Sequence, residues 1–548
     1  MIIPTLKNEK VSLVVAALFP VFCLAPFVAK AYHMDDTYYI RAAQQILERP
    51  WDYYGFTINW YGYESPAYEE HTSPALICYY IAAVAMLFGW NEVFHHTAFL
   101  LFGAGMGVGV YLLARRLQVS GMVAVVAAVL TPAFLVSSSN IMLDTPMVAF
   151  FTLAVAAYIE GIERNRADLL WLGAVLAGFS ALSKYFGICA VGLMAVYAIA
   201  RKRRNAAAFL PLSLPVGMLA SEQLYGYWMY GRFIALNAMD QATGDRVSKP
   251  FLEWLAIGLA FTGSCSVAAL ALSPFLWRSR TVGLCAAVGL AGCVAFVLAG
   301  DAVGRFLPSV GPLDAVSRAQ LALCCAAGLV VFALVVCDWW SHRDAPSYVL
   351  ALWVMGTFVF ATYLNWSANV RSFLPIAPAA GLLVARRIAN ASAPSAARLQ
   401  TVQAGGLVVS AAIAFSVAAA DYVWANSIRD MTAKYRTLQL PPGGTLYFQG
   451  HWGFQYYMEE LGARAMDMRR DRLDAGDVLV CPSNNSNITY PPRQRTEQRF
   501  RDEQPSAPFA ATMCQQWGAG FYSDLWGPLP FVFRRIPPDV YYTFVIGP

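Results

Sequence analysis

The sequence predicts an α-helical multi-pass membrane protein with about thirteen transmembrane helices and a small C-terminal α/β domain. Of its 548 residues, 58% are hydrophobic and only 13% are charged, a balance typical neither of soluble domains nor of disordered chains. Apolar runs long enough to span a bilayer recur as far as residue 424, with basic clusters between them. Beyond residue 425 the apolar runs become short and strand-like.

The first apolar run, VSLVVAALFPVFCLAPFVA, follows the N-terminal MIIPTLKNEK. At roughly twenty residues it is long enough to span the membrane, and no small-residue cleavage site follows it. We therefore expect a retained signal anchor. The net charge of +5 is small for this length and indicates the basic bias of cytoplasmic loops, not a nucleic-acid-binding surface.

The apolar runs define the expected membrane segments in chain order. They are 11–30, 73–89, 97–114, 119–138, 147–162, 169–183, 186–200, 206–224, 251–276, 281–300, 317–338, 347–365, 372–385 and 404–424.

Basic clusters set the orientation, because Lys and Arg favour the cytoplasmic side. With the N-terminus inside, the first run crosses outward and leaves Asp35 outside. If 73–89 and 97–114 both crossed, Arg115, Arg116 and every later cluster would face outward. The charge rule therefore predicts that 73–89 lies on the surface or re-enters the membrane, and an ordinary span that breaks the rule locally is the alternative. The clusters are Lys7/Lys10, Arg115/Arg116, Arg164/Arg166, Arg201–Arg204, Arg278/Arg280, His342/Arg343 and Arg386/Arg387.

This topology divides the chain into a transmembrane domain, 1–425, with a first outer loop at 31–96, and an exported C-terminal α/β domain, 426–548. The strand-like segments of the second domain are GTLYFQG, GDVLVCPS, FVFRRI and YYTFVIGP, and FQYYMEELGARA is helix-like. Cys481 and Cys514 lie in this region, and export would allow them to form a disulfide. No CxxC or Cys/His cluster predicts a structural metal site.

Charged residues collect on the predicted outer face. Ionisable groups at membrane depth are costly and are functional candidates by default. Taken together on one face, the set is more informative than any single member. Its members are Asp35, Asp36, Asp144, Lys184 and Arg371.

Each of these residues also has a structural explanation. Asp35 or Asp36 could cap the amphipathic helix TYYIRAAQQIL, and Asp144 before Thr-Pro is a good N-cap. Lys184 could extend its amine to the membrane interface. Arg371 could anchor the next span at the same interface.

Aromatic residues crowd the first outer loop, in WDYYGFTINWYGYESPAYEEHTSP. Such a cluster fits a membrane-interface belt, and it also fits stacking against sugar rings. Composition alone leaves both interpretations open. Acidic and imidazole groups accompany the aromatic residues at Glu69, Glu70 and His71.

The order of motifs resembles a known family. MDDTYY follows the first span, and YEEHTSP, SSSNIMLDTPMVAFFTLA, LSKYFG and VRSFLPIAPAAGLL come after it. This set, over roughly residues 1–390, is similar to the GT-C superfamily of membrane glycosyltransferases. The protein O-mannosyltransferase-like enzymes and the bacterial transferases that add aminoarabinose to lipid A are the nearest groups. GHWGFQYYMEELG and GAGFYSDLWGPLPF resemble the outer domain of the same group.

The resemblance implies a polyprenyl-phosphate sugar donor, a glycan, lipid or protein acceptor, and a bacterial inner membrane with the site on the periplasmic face. It implies a catalytic carboxylate in the first outer loop, which matches Asp35. Asp36 stands where relatives often have Glu, and His71 stands near a Lys or His of relatives. Thr72-Ser73-Pro74 departs from the double proline of the family, which puts the shape of that loop in question.

The resemblance leads to a mechanistic hypothesis. Charge grows on the lipid phosphate as the sugar–oxygen bond breaks, so Lys184 and Arg371 are expected to bind that phosphate. Asp35 would accept the proton of an acceptor hydroxyl, and in-line attack would invert the anomeric centre. If the acceptor is instead a phosphate, no base is needed, and Asp35 would only position the acceptor. Asp36 and Asp144 would orient the base or bind acceptor hydroxyls. Tyr39, Glu70 and His71 are the remaining candidates for substrate binding.

Three carboxylates, those of Asp35, Asp36 and Asp144, could together hold a divalent cation, but we expect no metal and no other cofactor. Three other functions remain open: a transporter or flippase of lipid-linked sugars, an O-antigen polymerase or ligase, and a non-catalytic membrane subunit. Transporters place charges near the bilayer midplane and often contain inverted repeats, whereas here the charges are at outer helix ends and no repeat is visible.

Overall fold

A computed structural model of the protein describes residues 9–70, 72–202, 206–244, 247–277, 279–390 and 396–547. The helices are α1 Glu9–Leu24, α2 Asp36–Glu48, α3 Ala67–Glu70, α4 Leu76–Phe88, α5 Glu92–Arg116, α6 Gly121–Val129, α7 Pro132–Ser138, α8 Asp144–Arg164, α9 Ala167–Ser183, α10 Cys189–Ala200, α11 Ala206–Phe209, α12 Ser213–Tyr230, α13 Ile234–Gly244, α14 Phe251–Ser264, α15 Val267–Leu276, α16 Ser279–Leu298, α17 Ala315–His342, α18 Ala345–Val359, α19 Val370–Phe373, α20 Ile376–Asn390, α21 Ala396–Lys434 and α22 Trp452–Glu460. The strands are β1 Thr57–Asn59, β2 Glu64–Pro66, β3 Leu446–Phe448, β4 Arg464–Ala465, β5 Val478–Pro482, β6 Thr496–Gln504, β7 Ala510–Ala511, β8 Met513–Cys514, β9 Ala519–Gly520, β10 Val532–Phe533 and β11 Asp539–Ile546.

The helices identify a multi-pass membrane protein. Among the described residues, six helices are long and apolar enough to cross a membrane, or up to eight if each sharply bent pair counts as one span. The prediction of about thirteen spans is therefore not confirmed. Several predicted runs form apolar helices shorter than the roughly twenty residues that a straight span needs, namely Leu76–Phe88, Ala167–Ser183, Tyr185–Ala200 and Ala287–Leu298.

Two predicted spans are broken. The run 119–138 divides into α6 and α7, which meet at 69°. Thr131 accepts a hydrogen bond from the Phe134 backbone amide at 3.1 Å, and Pro132 occupies the first turn, so a new helix begins there. The run 251–276 is also broken, with 84° between α14 and α15. The first break brings the end of α7 and its polar loop, SSSN, into the buried interior of the protein.

The C-terminal region contains a five-stranded sheet in the order β4-β3-β5-β11-β6. β3 runs parallel to β4 and β5, and β11 runs antiparallel to β5 and β6. All four predicted strand segments form strands, and the predicted helix is α22. The sequence did not indicate β6, because its residues TEQRFRDEQ are almost all polar and exposed. Charged residues on an edge strand discourage pairing with other chains.

The disulfide that export would have allowed does not form. Cys481 and Cys514 are both buried free thiols. Cys481 packs in the core of the main sheet, and Cys514 packs in a separate small cluster beside β10. The two cysteines therefore belong to different parts of the C-terminal region.

The C-terminal region packs directly against the loop that follows α1. Gly453, in the first turn of α22, lies so close to this loop that a Cβ atom would stand 2.2 Å from the Tyr32 carbonyl oxygen. The Tyr32 amide donates to the Tyr457 hydroxyl at 2.8 Å, and Thr37 donates to the Trp452 carbonyl oxygen at 2.6 Å. Hence α22 holds the segment that carries the acidic pair.

Candidate active site

Asp35 forms an ion pair with Arg371. One Asp35 carboxylate oxygen lies 2.6 Å from the Arg371 guanidinium, and the Asp35 side chain is 29% exposed. Asp35 occupies the N-cap position of α2, but its side chain makes no capping hydrogen bond. Capping therefore does not explain this residue, whereas pairing with a cation 336 positions away does.

Asp144 forms a second ion pair, with Lys184 at 2.6 Å. Asp144 begins α8 and is buried, and its other carboxylate oxygen has no hydrogen-bond partner in the described part of the chain. Lys184 is an extended residue between α9 and a short turn, Tyr185–Ile188, and 29% of its side chain is exposed. That turn needs Gly187, because a Cβ atom there would stand 2.2 Å from the Ser180 carbonyl group.

The two ion pairs belong to one cluster. Burial alone would lower the pKa of Arg371, but the carboxylates of Asp35 and Asp144 outweigh it and raise that pKa above its ordinary value. Asp35, Arg371 and Asp144 also act on the buried Tyr39 phenol, whose pKa is raised by burial first and by Asp35 next. Five predicted residues from distant parts of the chain therefore come together, and we call them the charged cluster: Asp35, Tyr39, Asp144, Lys184 and Arg371.

Asp36 lies in a different environment from Asp35. It is completely buried, and its two carboxylate oxygens accept hydrogen bonds from the backbone amides of His33, at 2.9 Å, and Ile141, at 3.2 Å. Burial raises its pKa to about 8, against the lowering effect of these hydrogen bonds and of Lys30. Asp36 thus connects the first outer loop to the SSSN loop, on the buried side of Asp35.

The C-terminal region holds the loop that carries Arg371. The Val370 amide donates to the Phe521 carbonyl oxygen, and the Ala368 amide donates to the Asp524 carboxylate, each at 2.8 Å. The Arg371 guanidinium also lies 5.5 Å from the ring centre of Tyr522. The motif GAGFYSDLWG, at 518–527, therefore positions Arg371, the cation of the Asp35–Arg371 ion pair.

Sequence reasoning missed a fully buried polar network that is linked to the charged cluster through Tyr522. The Lys30 amine contacts Asp421 at 2.5 Å and the Asn140 side-chain oxygen at 2.7 Å. Asp421 also accepts from the Thr512 hydroxyl at 2.6 Å and from the Tyr522 hydroxyl at 2.8 Å. One signal was available, because Asp421 is a carboxylate within the predicted span 404–424.

The remaining predicted residues lie farther along the first outer loop. Glu70 ends α3, is half-buried, and acts electrostatically on Tyr38, the neighbour of Tyr39. His71 lies outside the described residues, so its predicted role in substrate binding stays a prediction.

The chemistry of the three carboxylates does not fit a divalent cation well. The oxygens of Asp36 face backbone amides, and cationic side chains neutralise Asp35 and Asp144. Across the described ranges, no group of three or more His, Cys, Asp or Glu side chains has an arrangement that would hold a metal ion.

Part of the chain matches a known protein family. Residues 72–221, which include Asp144 and Lys184, match the family described as dolichyl-phosphate-mannose-protein mannosyltransferase. Among curated protein sequences, none matches the chain.

Several solved structures are similar to this chain at low identity. ArnT from Cupriavidus metallidurans, bound to undecaprenyl phosphate, has 13% identity and a TM-score of 0.48, over 87% of this chain and 93% of that one. The oligosaccharyltransferase of Archaeoglobus fulgidus, in its apo form, has 16% identity and a TM-score of 0.45, over 84% of this chain and 64% of that one. The arabinofuranosyltransferase AftD from Mycobacteria has 14% identity and a TM-score of 0.42, over 99% of this chain and 40% of that one.

The resemblance that the ordered motifs predicted is therefore confirmed, most directly over residues 72–221: the chain resembles membrane glycosyltransferases of the protein-mannosyltransferase type.

Proposed function

We propose that this protein is a membrane glycosyltransferase that moves a sugar from a polyprenyl-phosphate donor to an acceptor on the periplasmic face of a bacterial inner membrane. The observation that carries the proposal is the charged cluster, in which two carboxylates and two cations from distant segments form neighbouring pairs. The acceptor is a hydroxyl group of a lipid, a glycan or a protein. The family match supports a transferase more than a transporter.

The donor's leaving group is a lipid phosphate whose negative charge grows as the sugar–oxygen bond breaks. Lys184 and Arg371 bind this phosphate, so their charges stabilise the transition state more than the ground state. Asp144 fixes the Lys184 amine through the 2.6 Å contact. Its second oxygen, buried and without a partner in the described residues, is available to a substrate hydroxyl.

Asp35 acts as the general base. It is the more exposed carboxylate of the two pairs, and it is held at Arg371, where the phosphate binds. A phosphate that draws Arg371 toward itself weakens the ion pair and leaves the Asp35 carboxylate able to accept the proton of the attacking hydroxyl. Attack in line with the departing phosphate then inverts the anomeric centre.

Sugar transfer by the purified protein tests the proposal. The wild type is incubated with a panel of undecaprenyl-phosphate sugars and crude envelope acceptors, and donor consumption is followed by mass spectrometry. We expect the wild type to consume at least one donor and Asp35→Asn to lose at least a hundredfold in kcat, since a positioned base contributes about 10²–10⁴-fold.

A matched control is Asp168→Asn, because Asp168 forms an exposed ion pair with Arg166 away from the charged cluster. It should keep the wild-type rate. Near-normal turnover by Asp35→Asn would overturn the assignment of the base. Binding of every donor without consumption of any, with or without acceptors, would instead favour a transporter. Turnover that is lost with EDTA and restored by magnesium would contradict metal-independent transfer.

A further inference from the structure

A carboxylate that the sequence analysis did not single out lies beside the charged cluster. Glu222, in α12, is half-buried, and its Oε1 atom is buried without a hydrogen-bond partner in the part of the chain that the structure describes. Its Oε2 atom accepts from the side-chain amide of Gln223 at 2.5 Å. A carboxylate in an apolar helix that keeps an unused, desolvated oxygen is costly, so the fold gains nothing from it unless another molecule supplies a donor.

A second group with an unused hydrogen bond faces the same place. Tyr53, in the first outer loop, is only 4% exposed, and its hydroxyl is buried without a partner within the described ranges. Burial raises the pKa of this phenol, and the negative charge of Glu222 is the next largest cause. Two unsatisfied polar groups from separate segments are therefore near neighbours.

Tyrosine rings surround this pair. Tyr53 stacks against Tyr225, with 5.8 Å between ring centres, and meets Tyr230 edge-on at 5.7 Å. The hydroxyl of Tyr225 donates to the Trp51 carbonyl oxygen. The first outer loop and α12 thus form an aromatic wall with a polar floor, an arrangement that suits a sugar ring, which has apolar C–H faces and hydroxyl groups at its edge.

Gln223 connects this wall to the charged cluster. Its side-chain amide donates both to Glu222 and to the hydroxyl of Tyr185 at 2.9 Å. Tyr185 directly follows Lys184, the cation that we assign to the donor phosphate. Gln223 and Tyr185 therefore link the pair of Glu222 and Tyr53 to the segment that carries the phosphate-binding cation. The sugar of a lipid-phosphate donor must lie close to that cation.

We propose that Glu222 and Tyr53, supported by Gln223, form the subsite for the sugar ring of the lipid-phosphate donor. Glu222 accepts a hydrogen bond from a hydroxyl or amino group of the sugar, and Tyr53 binds a second polar group of the same ring. This inference rests on the proposed function, because that function defines the donor. It identifies two residues that select the sugar, separately from those that bind the phosphate.

The test compares a sugar-bearing lipid phosphate with the bare lipid phosphate. Binding of undecaprenyl-phosphate mannose, glucose and aminoarabinose, and of undecaprenyl phosphate alone, is measured on the full-length protein in detergent, with KM and kcat wherever a donor is consumed. The variants are Glu222→Gln and Tyr53→Phe. Tyr227→Phe is the matched control, because it removes a tyrosine hydroxyl from the same helix, on an exposed ring that stacks against Phe233.

We expect each of the two variants to weaken binding of the preferred sugar donor on the order of tenfold to a hundredfold, as for loss of a hydrogen bond to a charged group. Affinity for undecaprenyl phosphate alone, and every affinity of Tyr227→Phe, should stay within about twofold of wild type. Equal weakening for the sugar-bearing and bare lipids, or no weakening at all, would overturn the subsite even if the wild type transfers sugar. If the wild type transfers none, the proposed function fails, and the binding comparison still decides the subsite.

Discussion

Asp35 and Asp36 are adjacent in sequence, yet they have opposite environments. Asp35 is partly exposed and pairs with Arg371, whereas Asp36 is fully buried and accepts two backbone amides. The helical turn that begins between them directs one side chain to the charged cluster and the other into the protein. The doubled carboxylate therefore combines the base that we propose with a buried carboxylate that joins two loops.

The buried environment of Asp36 predicts a pH-dependent stability. Its pKa is raised to about 8 in the folded protein, while an unfolded chain has the ordinary value near 3.8. Between these values the folded state keeps a proton that the unfolded state has lost, so this group's contribution to stability is complete below about pH 4 and disappears as the pH rises through 8. We expect the advantage of wild type over Asp36→Asn in unfolding midpoint to shrink from pH 5 to pH 8.

Thermal unfolding in detergent, followed by intrinsic fluorescence across that range, measures this difference. The exposed Asp430 supplies the control, since its side chain is 63% exposed and Asp430→Asn should show a constant offset. A gap between wild type and Asp36→Asn that is constant or widens with pH would show that Asp36 is ionised in the folded state.

The sequence predicted the members of the charged cluster because ionisable residues stand out in apolar surroundings. Asp144 and Lys184 were visible in this way, and the structure adds which carboxylate pairs with which cation. Such pairing depends on contacts across as many as 336 positions, which no local pattern contains. Glu222 has the same kind of signal, but it lies at the polar end of its run, SEQLYGY, where it could be taken for a helix terminus.

At the scale of elements, helix breaks and short strands are what local patterns describe least well. The run 119–138 reads as one span, yet Thr131 and Pro132 divide it and turn the SSSN loop toward the site. β6 was missed because its residues are polar on both faces, while β5 and β11 were evident from their apolar residues. Apolar periodicity therefore locates buried elements, and it fails where an element is exposed or is interrupted by one or two residues.

The close approach of α22 to the loop after α1 gives a prediction at this scale. Gly453→Ala would place a methyl group 2.2 Å from the Tyr32 carbonyl oxygen, so either the helix or the loop must move. We expect a loss of stability of about 1–3 kcal/mol, as for other overpacked sites, and a fall in kcat, since the moving loop carries Asp35. Thermal unfolding and the donor-consumption assay measure the two effects.

Gly356→Ala, in α18, is the matched control, because a Cβ atom there meets nothing within 4 Å among the described residues. It should leave both stability and turnover unchanged. Full activity of Gly453→Ala with a wild-type unfolding midpoint would show that the contact between α22 and the loop does not position the acidic pair.

At the scale of the whole molecule, the Lys30–Asp421 network joins the loop after α1, α21 and the C-terminal region in one buried contact. Breaking a buried ion pair from one side leaves an uncompensated charge and typically costs about 3–5 kcal/mol. We therefore expect Asp421→Leu to lower the unfolding midpoint severely and to abolish turnover, because Thr512 and Tyr522 lose their shared partner.

The double variant Lys30→Met/Asp421→Leu removes both charges and should recover much of the lost stability, since an apolar pair of similar volume often replaces a buried ion pair without loss. A double variant no more stable than Asp421→Leu would show that the hydroxyl partners of Asp421, not Lys30, carry the effect. Asp168→Asn breaks only an exposed pair and should change stability by less than about 1 kcal/mol.

Residues 521–524 bind the Arg371 loop through two hydrogen bonds, and this contact has a consequence for biosynthesis. The first member of the charged cluster, Asp35, is translated early, but the loop of its cationic partner is held by a segment made nearly five hundred residues later. A nascent chain that stalls before that segment inserts its helices without assembling a working centre. Under the proposed function, we therefore expect incomplete translation products to leave lipid-linked sugars unchanged.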